Sequence, residues 1–86
     1  MLSKEIIVRC ESVLHNKQAS YFVQKANDFQ CGLWVETGNR KMNAKSLLGI
    51  ISLRVVPGTA VTLIADGEGE KEAIEALEEL LIRDVF

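Results

Sequence analysis

Proline occurs once, at Pro57, histidine once, at His15, and cysteine twice, at Cys10 and Cys31. A single proline excludes a Pro-rich linker, and nothing in the 86 residues is repetitive or low in complexity. The two cysteines form no CxxC pair, so neither a zinc ribbon nor a disulfide framework is available, and both read as small buried hydrophobes. Charge of one sign is missing too. Ten Lys and Arg face twelve Asp and Glu, a net charge of −2. Nucleic acid as the main ligand calls for a basic excess that this chain lacks, although a local basic patch stays open. The longest strongly apolar run, Leu47-Leu48-Gly49-Ile50-Ile51, is far below the ~20 residues of a membrane helix. Lys4 and Glu5 interrupt the N-terminal region before it can form the apolar segment of a signal peptide, so a cytoplasmic protein is expected. There is no Walker A, no dinucleotide fingerprint and no nucleophile–base–acid set, which leaves a small hydrolase poorly supported.

What is present is a soluble-domain composition, 48% hydrophobic and 26% charged, in a length that fits one domain over 1–86. Residues 4–10 alternate, with Ile6, Val8 and Cys10 on one side, and predict a strand. Ala19, Phe22, Val23 and Ala26 fall at helical spacing and predict a helix from His15–Lys17 to about Asn27, with Phe29 packing just beyond it. Residues 32–37 suit a strand, Gly38-Asn39 a hairpin turn, and Arg40 to Asn43 a short return strand. Ser46 is a good N-cap for a brief helix over 47–53, weakened by Gly49. Pro57-Gly58 turns the chain, and residues 60–66 alternate with Val61, Leu63 and Ala65 facing one way. Ala73, Ile74, Leu77, Leu80 and Leu81 stripe a last helix whose start is crowded by Glu68, Glu70 and Glu72. Together with Asp66, those acids lack the spacing of a calcium loop and read as helix-start charges rather than a metal site. Trp34, without a basic excess around it, reads as core rather than a stacking platform. The order βαββαβα, with each helix apolar on one face only, implies an α+β domain whose four-stranded sheet is covered on one side.

Two polar segments feed helix N-termini, and chemistry can sit in either. His15 reads as a solvated loop residue or as a phosphoryl acceptor. At a helix start, free amides and the dipole favour a neutral ring and an attached anion, and Lys17 supplies a cation. Ser46 reads as an ordinary N-cap or as a serine that carries phosphate. A phosphate there sits well against the helix dipole and adds about −1.5 to −2 charge beside Leu47, Leu48 and Ile51. Those three are either core or a docking patch.

Residues 42–53, MNAKSLLGIISL, closely match the segment around the regulatory serine of the histidine-containing phosphocarrier protein (HPr) family of the bacterial phosphotransferase system. Leu14-His15 and Ala19 match part of that family's G-[LI]-H-A-R-P-A motif. Phe22-Val23, Ala26, Phe29 and Gly67-Glu68 add support, so the chain resembles the family over essentially its whole length. The resemblance implies an open-faced β-sandwich of four antiparallel strands with three helices on one face, and a phosphate carrier rather than a turnover enzyme, with no cofactor and no metal. It implies that His15 accepts phosphate from enzyme I and passes it to EIIA domains, with Lys17 steadying the phosphate. It further implies that HPr kinase/phosphorylase modifies Ser46, that the modified form meets the catabolite control protein, and that Ser20, Leu47, Leu48 and Ile51 bind partners. The departures lie at 13–18. Val13 replaces a glycine, Asn16 an alanine, Lys17 an arginine and Gln18 a proline, which removes a planar phosphate fork and a rigid first helical residue. They motivate an alternative, a relay-impaired paralogue that works through Ser46 in carbon catabolite control.

Overall fold

The structure, a computed structural model, describes residues 1–9 and 16–83. Its elements run β1 (Leu2–Ile7), α1 (Asn16–Asn27), β2 (Gly32–Thr37), β3 (Arg40–Asn43), α2 (Leu47–Ser52), β4 (Ala60–Asp66) and α3 (Glu70–Ile82). The four strands form one antiparallel sheet in the order β1-β4-β2-β3. Central β4 pairs Ala60–Ala65 with β1 and Thr62–Asp66 with β2, so its two neighbours are fixed by one register.

Strand parity decides the rest. Ile6, Leu33, Val35, Val61, Leu63 and Ala65 all point to one face and are buried. That face must be covered, and the helices carry the stripes to cover it. Ala19, Phe22 and Ala26 of α1 and Ala73, Ile74, Leu77, Leu80 and Leu81 of α3 lie in the core, with Val23, Phe29, Met42 and Ile51 packed at its margin. α3 lies on β1 and β4, while α1 bridges α3 and α2. This is the open-faced α+β sandwich expected, with all three helices on one side.

Two expectations need correction. The first strand is Leu2–Ile7, not 4–10. The alternation was right, since Ile6 and Val8 are buried. The ladder starts earlier because β4 offers Ala65 and Ile64 as partners to Leu2 and Ser3. It ends earlier because the Pro57-Gly58 turn stops β4: Val8 exchanges hydrogen bonds with Thr59 and Gly58, and the Arg9 amide leaves the sheet to donate to the Leu81 carbonyl at the end of α3. Cys10, the last residue of the expected strand, lies outside the described residues, whereas Cys31 is buried as expected. Trp34 is not core. Leu33 and Val35 take the inward positions, so Trp34 is turned to the open face, half-buried, with the Lys41 ammonium 5.2 Å from its ring centre.

The β2–β3 turn uses Gly38 at φ 58°, a left-handed conformation that costs glycine nothing. Asp66 precedes the start of α3, where Glu70 and Glu72 occupy the first turn. The Gly67 amide donates to Glu70 Oε1 at 3.1 Å, and this bond holds the Glu70 carboxyl below the usual glutamate range. A lowered carboxylate stabilises the fold at pH above the ordinary glutamate value, and the contribution fades as pH falls through the lower folded value. We expect the Glu70 carboxyl resonance to titrate below the usual glutamate range; titration within that range would remove the Gly67 bond from this account.

Burial sets a second expectation. Leu77 is 1% exposed and Leu48 is 81% exposed. Leu77→Ala should therefore cost about 2–5 kcal/mol in urea unfolding, and Leu48→Ala less than about 0.5 kcal/mol. Comparable losses at the two positions would mean that Leu48 is packed.

Candidate functional site

The chain leaves β3 through a turn whose polar bonds hold the backbone on either side of Ser46 in place. Ala44 is fully buried and its amide donates to the Leu33 carbonyl, which anchors the exit from the sheet. Asn43 then closes a local turn, its Oδ1 accepting from the Lys45 amide at 2.8 Å and its carbonyl accepting from the Ser46 amide at 3.0 Å. The Lys45 ammonium reaches across to the Phe29 carbonyl at 2.7 Å, just past the end of α1. Ser46 is left in an extended conformation, φ −104° and ψ 114°, as the N-cap of α2.

Ser46 Oγ accepts from the Gly49 amide at 3.2 Å, and the Ser46 carbonyl accepts from the Ile50 amide at 3.0 Å. The expected cap is therefore present. Gly49, which weakens helix propensity, has a local reason to be glycine. A Cβ at that position would stand 3.3 Å from Ser46 Oγ and 3.4 Å from Met42 Cβ, so a side chain would crowd both the hydroxyl and the packing of α2 on β3. The result is an exposed primary alcohol, oriented by one hydrogen bond on a turn fixed by four others.

α2 presents its faces unequally. Ile50 is fully buried and Leu53 nearly so, while Ile51 packs at the margin of the core. Leu47 is 40% exposed and Leu48 81% exposed. The choice between core and docking patch thus divides within one helix: Ile50 is core, Leu47 and Leu48 face solvent beside Ser46, and Ile51 lies between. Ser20 is half-buried on α1, the helix against which α2 packs. His15 falls outside the described residues, so its expected place at the head of α1 is neither met nor missed. Lys17 falls in the first turn of α1, and the expectation for its ammonium also lies outside what is described.

Sequence reasoning passed over the bonds that close the other end of α2. Arg40, on edge strand β3, donates from Nη1 to the Ser52 carbonyl at 2.6 Å and from Nη2 to Ser52 Oγ at 3.0 Å. Ser52 Oγ in turn donates to the Gly49 carbonyl at 2.7 Å. The Leu53 and Arg54 amides donate to the Ile50 and Ile51 carbonyls. All four final carbonyls of the helix are thereby satisfied. Arg54 adopts φ 51°, the left-handed residue that ends such a turn, at a cost of about 1 kcal/mol for a non-glycine. The only legible signal was that a helix without a basic residue in its last turn needs a cation from elsewhere.

Chemically, this site can take a group onto Ser46 Oγ and present it beside an apolar patch. Among the described residues, no group of three or more His, Cys, Asp or Glu converges to hold a metal ion. Likewise, no described helix is long and apolar enough to cross a membrane.

Comparison with known proteins covers nearly the whole chain. The HPr-like protein Crh of Bacillus subtilis (strain 168) is 46% identical over 77 residues, covering 90% of this chain and 91% of that protein. The phosphocarrier protein HPr of Haemophilus influenzae is 36% identical over 81 residues, covering 94% of this chain and 95% of that one. Among solved structures, HPr-C-His from Thermoanaerobacter tengcongensis superposes with a TM-score of 0.88 at 44% identity, covering 94% of this chain and 91% of its own. A family profile described as the PTS HPr component phosphorylation site matches residues 2–83. With that profile spanning nearly the whole sequence and the sheet and helices in the same order, the chain belongs to the HPr family of phosphotransferase-system phosphocarriers.

Proposed function

We propose that this protein is a regulatory HPr-like module, folded as one domain over 1–86 and acting in the cytoplasm, whose Ser46 hydroxyl accepts phosphate from HPr kinase/phosphorylase. The modified form then binds the catabolite control protein. The observation that carries this reading is the exposed Ser46 Oγ on a fixed turn, with Leu47 and Leu48 exposed beside it. Phosphorylation would add about −1.5 to −2 charge at the edge of that patch and three acceptor oxygens for a cationic partner. The likeness to Crh points the same way. Ser20 and Ile51 complete the proposed partner surface, and the protein works as a stoichiometric phosphate carrier or regulatory protein rather than a turnover enzyme, without a cofactor or metal of its own.

A second reading is a relay in which His15 takes phosphate from enzyme I and hands it to EIIA domains, with Lys17 as the steadying cation. It is favoured by the retention of His15 and Lys17 in the sequence and by the likeness to phosphocarrier protein HPr. The sequence alone puts the relay first. The serine reading moves ahead on the likeness to Crh and on the capped hydroxyl at Ser46 beside the exposed Leu47 and Leu48.

Two labelling experiments separate the readings. Treatment with HPr kinase/phosphorylase and ATP should place one phosphate on Ser46, absent in Ser46→Ala, and the labelled protein should bind the catabolite control protein more tightly than the unlabelled one. An unmodified Ser46, or unchanged binding after modification, removes the regulatory reading. Incubation with enzyme I and phosphoenolpyruvate should give an acid-labile phosphate that is lost in His15→Ala, and no label under conditions that charge an ordinary HPr removes the relay. Independently of both, Ser46→Ala should lower stability by about 1 kcal/mol through loss of the cap, read as a shift in urea midpoint.

A further inference from the structure

α2 has six residues, fewer than two turns, and such a segment does not hold helical shape in water by itself. Ile50 and Leu53 pin one face to the core. The opposite face, with Leu47 and Leu48, keeps its presentation as long as the helical turn itself is held, and the C-terminal bonds help to hold it. The Arg40 guanidinium is planar, and its two nitrogens engage the Ser52 carbonyl and the Ser52 hydroxyl at once. The hydroxyl passes the constraint back to the carbonyl of Gly49, the residue whose amide donates to the Ser46 Oγ cap. A continuous chain of hydrogen bonds therefore runs from β3 through Ser52 and Gly49 to Ser46 Oγ. It also places a positive charge at the end of a helix that has no basic residue in its own last turn.

We infer that Arg40 and Ser52 are positioning residues for the Ser46 site: they set the orientation of α2 in which the kinase recognises Leu47, Leu48 and the acceptor hydroxyl. The inference rests on the regulatory reading above and adds to it a pair of residues whose bonds close the far end of α2 from Ser46. The geometry also says why the pair is arginine and serine. A lysine at 40 keeps the charge but can offer only a point donor, so it satisfies the carbonyl or the hydroxyl without fixing both.

The test compares Arg40→Gln, Arg40→Lys and Ser52→Ala with the wild-type chain by native-state amide exchange and by kinase kinetics. Arg40→Gln should speed exchange of the Gly49, Ile50, Leu53 and Arg54 amides about tenfold, the scale of one charge-assisted bond at an exposed site. Exchange at Leu63 and Leu77 and the urea midpoint should stay close to wild type. In the kinase reaction KM should rise several-fold with kcat little changed, because orientation for docking is lost while the hydroxyl is not. Ser52→Ala should move both readouts the same way, and Arg40→Lys should recover part of each. Unchanged exchange in α2 overturns the inference whatever the kinase does. So does a uniform loss of protection across the core, or a KM unchanged in the variants where the wild-type chain is phosphorylated normally. Failure of the wild-type chain to accept phosphate on Ser46 overturns the regulatory reading instead, while exchange alone still decides whether the Arg40 clip orders α2.

Discussion

A helix of six residues cannot form enough internal hydrogen bonds to repay the ordering of its backbone, so α2 takes its form from its surroundings. Three supports replace the missing length. Ile50 and Leu53 bury one face, the Asn43–Ser46 turn sets the entry, and Arg40 with Ser52 closes the exit. Each support comes from a different part of the chain: the core, the loop after β3, and β3 itself. The segment's sequence is therefore a poor guide to its stability. Gly49 lowers its propensity, and Arg54 adds a left-handed residue at its end. Both costs are met by contacts that local propensity does not contain.

Those contacts depend in turn on the sheet having only one covered face. The inward set Ile6, Leu33, Val35, Val61, Leu63 and Ala65 is complete without any aromatic residue. Helices then have to supply the bulk, and Phe22 and Leu77 do so from α1 and α3. Because the helices lie on that side alone, the turn after β3 must cross from the sheet to the helical layer within a few residues. Ala44, fully buried and bonded to the Leu33 carbonyl, is the crossing point. Ser46 is exposed because the crossing is complete two residues later. At the opposite edge of the sheet, on the same helical side, Lys4 pairs with Glu78 at 2.9 Å and ties edge strand β1 to α3, though such a half-exposed ion pair contributes at most about 1 kcal/mol.

Periodicity made most of this legible before any coordinates. The stripes of α1 and α3 and the alternation of β4 mark residues that are buried, because apolar spacing and burial are the same physical fact seen twice. The Ser46 cap was legible for a similar reason, since its partner amide lies three residues away. Trp34 was misjudged because residue type was weighed above parity: Leu33 and Val35 had already taken the inward positions of β2. The N-terminal boundary of β1 was missed because Ser3 gives no apolar signal and Leu2 stands alone beyond it, and pairing with Ile64 and Ala65 makes them strand. Arg40, Ser52 and Lys45 were invisible for a different cause. Their partners lie across turns and layers, and hydrogen bonds of that kind leave no period in a sequence.

The bond pattern around Ser46 bears on how a modification there is read. Of the bonds that hold the turn, only the one from the Gly49 amide uses the Ser46 hydroxyl; the Asn43, Ile50 and Phe29 bonds use other atoms. A phosphate on Oγ, as proposed, still has an oxygen for that amide and leaves the others in place. The fold therefore has no reason to change on modification. What changes is the surface: a strongly charged group now borders Leu47 and Leu48, two apolar side chains that stay exposed in either state. A partner that needs both the anion and the apolar patch gains affinity, and one that needs an uncharged patch loses it. In this account selectivity between partners comes from electrostatics added to a fixed shape. That is the reason the shape of so short a helix has to be held from outside.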